Sequence, residues 1–236
     1  KWRYFVIARA FSSVPGFTQS HAGTMTSFED LPRSARLFNA MRAYGDYLRI
    51  AVWPAGLAPF YPHSGRVESL MTILPAISTL ALITAVSILL ARRAPFLIVG
   101  WLFFLGTLLP VSGLMQAGIQ SYADRYTYVP FIGLFIIGAW GARDVAYRWK
   151  FGARVVTSAS AAVLVLCAVL SDQQTNYWKD DIALFEHTLG VTEKNHVAHM
   201  ILGNAYSKTG RIDEAIVQFR AGIAIGPLDA DLHTGL

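Results

Sequence analysis

Two charges stand alone in the middle of this chain. Asp124 and Arg125 are the only Asp, Glu, Lys or Arg residues between Ala94 and Ala142. They sit in SYADRYTYVP (121–130), beside Tyr122, Tyr126 and Tyr128. Charge at membrane depth is costly, so such groups face a bundle interior or an aqueous cavity. An arginine offers a planar fork of donors that fits an anion. The neighbouring aspartate can orient that fork, or pair with it to cap helices and fix a loop. The tyrosines suit a membrane interface, with an apolar body and a polar tip.

The elements that must position these residues are set by composition. The chain has 236 residues, of which 54% are hydrophobic and 15% charged, with a mean hydropathy of +0.41. That is too apolar for an ordinary soluble domain. The charge is also divided. Residues 1–171 carry 15 Lys+Arg and 6 Asp+Glu, whereas 172–236 carry 5 and 9. Basic loops beside apolar spans account for the high pI, so it is no sign of nucleic-acid binding. The single cysteine, Cys167, excludes an intrachain disulfide and a Cys-based metal site, and reads as a packing thiol. No metal site is expected from the sequence.

Four stretches lack charge over lengths suited to a bilayer helix: Ile73–Ala91, a segment within Ala94–Met115, Tyr126–Ala142 and Val155–Ser171. Trp140, Tyr147 and Trp149 sit where an aromatic belt would lie. TSASAA (157–162) gives the last span a small-residue face for close helix packing. Arg92 and Arg93 join the first two spans. Arg143, Arg148, Lys150 and Arg154 join the last two. The excess of Lys and Arg makes both loops cytoplasmic. Asp124, Arg125 and everything after Ser171 then fall on the outer side. The apolar run in Lys1–Phe11 is too short to span, and reads as the cut end of an earlier helix in a longer protein.

The acidic tail carries a 34-residue pattern counted from His196. Leu202, Gly203 and Tyr206 match the L-G-x2-Y of a tetratricopeptide (TPR) first helix. Ala215 and Phe219 match the A-x3-F of the second, and Pro227 the closing proline. Gly203 and Gly222 allow two helices to approach while Tyr206 and Phe219 fill the gap. Tyr177–Leu189 reads as a half-repeat, with Phe185 one period before Phe219. One repeat cannot bury its own face, so an array is expected. Asn204 and Lys208 are candidates for a peptide-binding groove.

Upstream, Ser34–Trp53 is amphipathic, with Leu37, Met41, Tyr44, Leu48 and Val52 on one face and Arg42, Asp46 and Arg49 opposite. It either lies in the outer interface or packs on its own bundle. WPAGLAPFYPH (53–63) follows, and its three prolines forbid continued helix.

The stretches YLRIAVWPAGLAPFYPH (47–63), SYADRYTYVPFIGLF (121–135) and YWKDDIALFEHTL (177–189), followed by the repeat, resemble the transmembrane and tetratricopeptide repeat containing family and its bacterial relatives. The order of parts is similar too. The resemblance implies an all-α chain: an extracytoplasmic or interfacial segment over 1–72, a multi-pass bundle of four membrane helices over 73–171, and an extracytoplasmic TPR region over 172–236. It implies a C-type-fold glycosyltransferase, related to protein O-mannosyltransferases. Such an enzyme moves a sugar, typically mannose, from a polyprenyl-phosphate donor to protein Ser or Thr.

The family's catalytic acid lies in an early loop with no counterpart here, so no catalytic residue is assigned and the fragment alone is expected to be inactive. Arg125 becomes the leading candidate for the donor phosphate, with Asp124 as its partner. Tyr126 and Tyr128 become candidates to stack on sugar, and Arg49 and His63 are further outer-face candidates. The expected partners are the bilayer, the lipid-linked donor and a protein or peptide held by the repeats. No cofactor beyond the donor is evident. The compact loops suit a bacterial inner membrane, or the endoplasmic reticulum membrane in a eukaryote. The alternative is a membrane-anchored TPR scaffold without chemistry. A transporter fits less well, because no acid lies deep in a span.

Overall fold

A computed structural model describes residues 33–62, 69–112, 120–149, 152–227 and 230–235. These are predominantly helical. Helix α1 (Arg33–Val52) leads into a loop ending in a short strand, β1 (Tyr61–Pro62). Then come α2 (Leu70–Leu89), α3 (Pro95–Leu108) with a 3-10 turn to Val111, β2 (Gln120–Tyr122) and a second 3-10 turn, Asp124–Thr127. After these follow α4 (Pro130–Arg148), α5 (Gly152–Tyr177), α6 (Asp181–Val191), α7 (His196–Lys208), α8 (Ile212–Ile225) and α9 (Ala230–Thr234).

Each charge-free stretch overlaps one helix, because a helix satisfies its backbone internally and the apolar side chains need no water; Pro75, inside α2, removes a single ladder donor. Prolines open α3 and α4 at their first turns, where the missing N–H is not needed. Among the described residues, α2 and α5 are long and apolar enough to cross a membrane. At ~1.5 Å per residue, α5 reaches about 39 Å. Their apolar side chains point outward: none of α5's apolar window is buried, nor is most of α2's. Cys167 therefore lies exposed on α5 rather than packed.

The bundle core is aromatic. Tyr47, Trp101, Phe104 and Leu108 are fully buried, with Ala43 and Tyr44 beside them. Tyr44 donates its hydroxyl to the Leu105 carbonyl at 2.7 Å, and Trp101 Nε1 donates to Thr84 Oγ1 at 2.9 Å. These bonds tie α1 to α3 and α3 to α2. Helices α3 and α4 cross so closely at Gly100 and Gly133 that a side chain on either would collide with the other's backbone.

Of the two sequence readings of α1, the structure shows the packing on its own bundle. The buried side of the helix, however, includes Ala40, Ala43, Tyr47 and Ile50, none of them on the expected apolar face. From that expected face, Tyr44 is buried, while Leu37 and Val52 (84% exposed) remain outside. The reason is steric. Gly45 abuts α2, where a Cβ would lie 2.7 Å from that of Ala76, and small alanines let the other flank approach closely.

The C-terminal helices form an independent core of Phe185, Ala198, Leu202, Tyr206, Ala215, Phe219 and Leu232. Gly203 leaves the space that Phe219 fills, since a Cβ there would sit 2.7 Å from the ring. Gly222 does the same for Leu232. Gly210, at φ +79°, turns α7 into α8, a backbone region that suits glycine. Asp180 and Asn195 cap α6 and α7 by accepting from Ala183 N and Ala198 N.

Candidate functional site

The site is built around the loop 53–62. Gly56 adopts φ +68°, and the loop curls so that the Tyr61 hydroxyl lies 3.1 Å from the Gly56 carbonyl, its one proton shared between that oxygen and Asp124. Tyr61 pairs with Tyr122 in a two-stranded antiparallel ladder, and their rings stack at 4.2 Å between centroids. Tyr47 meets Tyr122 edge-on. Its hydroxyl donates to the Ala123 carbonyl at 3.1 Å and lies 3.2 Å from the Ala123 amide, which donates to it. The strand leading to Asp124 is thus held from α1 and from the loop.

Asp124 does not pair with Arg125, contrary to the sequence expectation. Its Oδ2 accepts from the Ala58 amide at 3.0 Å and from the Tyr61 hydroxyl at 3.2 Å. The cause is the 3-10 turn over Asp124–Thr127. With three residues per turn, consecutive side chains point about 120° apart. Asp124 turns inward to the loop and Arg125 turns outward, its guanidinium over the Tyr126 ring at 5.3 Å. The other carboxylate oxygen, Oδ1, is buried without a hydrogen bond. Burial pushes the Asp124 carboxyl up to about 6, against the opposing pull of the Ala58 amide, the Tyr61 hydroxyl and the Arg49 charge. The Tyr61 and Tyr122 hydroxyls are raised well above the usual range, first by burial. The next cause is the Asp124 charge for Tyr61 and the Asp46 charge for Tyr122.

The remaining candidates fall as follows. Arg49 is largely exposed on α1, 3.8 Å from Asp46, which also faces Arg42 at 3.6 Å. Its charge reaches Asp124, so Arg49, Asp124 and Arg125 share one end of the bundle. Tyr126 packs on the aromatic core, and Tyr128 is 80% exposed. His63 lies outside the described residues. Leu202, Tyr206, Ala215 and Phe219 are buried in the C-terminal core, Gly203 with them, while Pro227 is exposed after the end of α8. Asn204 and Lys208 are exposed on α7. Among the described residues, no group of three or more His, Cys, Asp or Glu is placed to hold a metal.

Sequence reasoning missed three residues that grip the loop from the other side. Gln174 Nε2 and His187 Nε2 both donate to the Leu57 carbonyl, at 3.4 and 3.2 Å. Asn195 Nδ2 donates to the Phe60 carbonyl at 3.3 Å. The Tyr177 ring stacks on His187 at 3.8 Å and holds it in place. The signal was faint but present: a loop with three prolines has too few N–H groups to satisfy all its carbonyls and needs outside donors.

These features define a helical protein with apolar helices at one end and a helical hairpin region at the other, joined by the passage from α5 to α6 and by the loop 53–62. Three curated proteins are similar to it in sequence. They are the "Protein O-mannosyl-transferase Tmtc3" of Drosophila melanogaster, 24% identical over 77% of the chain, and the "Protein O-mannosyl-transferase TMTC1" of Mus musculus and of Homo sapiens, 25% and 24% identical over 78%. The chain spans about one fifth of the length of these relatives (20–21%). No protein-family profile and no solved structure matches it.

Proposed function

We propose that this chain is part of a multi-pass membrane glycosyltransferase that moves a sugar, mannose, from a polyprenyl-phosphate donor to Ser or Thr of a protein. Helices α2 to α5 span the bilayer and present their outward apolar side chains to lipid. Helices α7 and α8 form a TPR hairpin on the outer side and recruit the acceptor protein. The similarity to proteins named as O-mannosyl-transferases supports this reading. One structural observation carries it further. Arg125 is exposed on a turn whose other face is locked to the loop, at the end of the bundle nearest the hairpin region. A guanidinium on an anchored turn at a membrane interface is suited to a lipid phosphate, whose tail must stay in hydrocarbon.

Asp124 serves in this reading as a structural anchor rather than a base, because its carboxylate is committed to Ala58 and Tyr61. The test is mannose transfer from polyprenyl-phosphate-mannose to a Ser/Thr peptide by the intact protein in membranes. Arg125→Ala is expected to raise the donor KM about tenfold or more, in line with a loss of ~1.5–3 kcal/mol for a charged hydrogen bond. Full donor affinity in a folded Arg125→Ala protein would remove Arg125 from the site. No transfer at all, with peptide still captured by the hairpin region, would leave a membrane-anchored scaffold.

A further inference from the structure

The loop 53–62 is gripped on opposite sides by parts of the chain far apart in sequence. On one side Asp124 takes the Ala58 amide and the Tyr61 hydroxyl, and β2 pairs with Tyr61 and Pro62. On the other, Gln174, His187 and Asn195 take the carbonyls of Leu57 and Phe60. Ala58 sits between them, only 2% exposed. Its amide and the preceding residue's carbonyl belong to one peptide group, so a force on one is felt at the other within a single planar unit. Asn195 is itself fully buried, and its Oδ1 caps α7 while its Nδ2 reaches the loop. The start of the hairpin and the loop are therefore set by one side chain.

We infer that Asn195 and His187 are positioning residues for the Asp124–Arg125 site, acting through the loop 53–62. The orientation of α6 and α7 fixes the Leu57 and Phe60 carbonyls. The Ala58 amide then fixes Asp124, and Asp124 fixes the turn that presents Arg125. That the positioned site receives a donor rests on the function proposed above. The coupling itself is readable with no donor present, so a failed transfer assay and a failed coupling are separate results.

Asn195→Asp removes the Nδ2 donor, which also reaches Thr192 Oγ1 at 3.0 Å within the hairpin region. It keeps the capping oxygen for Ala198 and replaces the donor to Phe60 with an oxygen that repels that carbonyl. Hydrogen–deuterium exchange on the full chain in nanodiscs is expected to rise several-fold over 53–62 and also over Gln120–Thr127, with α7 and α8 unchanged. His187→Leu should show the same spread, and His187→Gln, which restores a donor, should reverse most of it. In Asp124→Ala combined with Asn195→Asp, exchange over 53–62 should not exceed that of the more affected single variant. A rise that stops at the loop and leaves Gln120–Thr127 at its original rate would overturn the inference. So would independent, additive effects in the double variant.

Discussion

At the scale of the residue, Asp124 departs most from its sequence reading. An acid beside a base invites pairing, but the 3-10 turn separates them and the loop supplies the partners. Those partners lie more than sixty positions upstream. No local pattern announces such a bond, whereas the tyrosines around it are visible at once in SYADRYTY. A pH dependence follows. The carboxyl ordinarily titrates at 3.8 and is raised to about 6 by burial, with Tyr47, Tyr61, Tyr122 and Arg49 facing it. Between these values the folded protein holds more protons than the unfolded chain. This group's contribution to stability is therefore full below pH 3.8, is lost as the pH rises towards 6, and levels off above. Asp124→Asn keeps an oxygen for Ala58 and Tyr61 but cannot titrate. The difference in Tm, Asp124→Asn minus wild type, is expected to grow from about pH 4 to about pH 6.5 and then stay constant. A difference that is flat across that range would show that Asp124 keeps an ordinary carboxyl.

At the scale of the element, the helices were legible because charge-free runs of bilayer length leave few alternatives. Which helices touch was not. Gly100 and Gly133 lie in two apolar runs with other glycines nearby, and nothing in either run marks them as the crossing point. The crossing yields a sharp contrast. Gly133→Ala would place a methyl group against the backbone of α3. It is expected to cost ~1–3 kcal/mol by overpacking and to lower the Tm in detergent. Gly138→Ala, on the same helix with open space around it, should be neutral or stabilise by a few tenths to ~1 kcal/mol. Equal effects from the two substitutions would refute the close crossing. In the C-terminal core, by contrast, the glycine and aromatic spacing was readable, because Gly203 and Phe219 belong to two helices joined by a tight turn and fold locally.

At the scale of the whole molecule, the sidedness proposed for the chain rests on one geometric observation. The loop 53–62 touches both Asp124 and Asn195, so the SYADRY turn and the start of the hairpin share a side. With Cys167 replaced by Ser, single cysteines at Tyr128 and Trp178 should react with a membrane-impermeant maleimide from one face of sealed vesicles. Cysteines at Arg93 and Trp149 should react only from the other. All four positions are exposed, so burial does not decide the result. Labelling of the Tyr128 and Trp178 positions from opposite faces would contradict the shared side. The charge division in the sequence already pointed to two environments. The loop that bonds to both was hidden, since most of its bonds are made by backbone groups that carry no side-chain signature.

The long reach of that loop also orders events during synthesis. Residue 58 is made 66 positions before Asp124, and residue 60 is made 135 positions before Asn195. At ~5–20 residues per second, the loop waits roughly 3–13 s for Asp124 and about 7–27 s for Asn195. Over that interval its backbone groups are open to wrong pairing. Pro54, Pro59 and Pro62 remove donors from the waiting segment and resist its recruitment into a foreign strand. The same prolines that leave the finished loop dependent on distant donors keep the nascent one from settling for nearer ones.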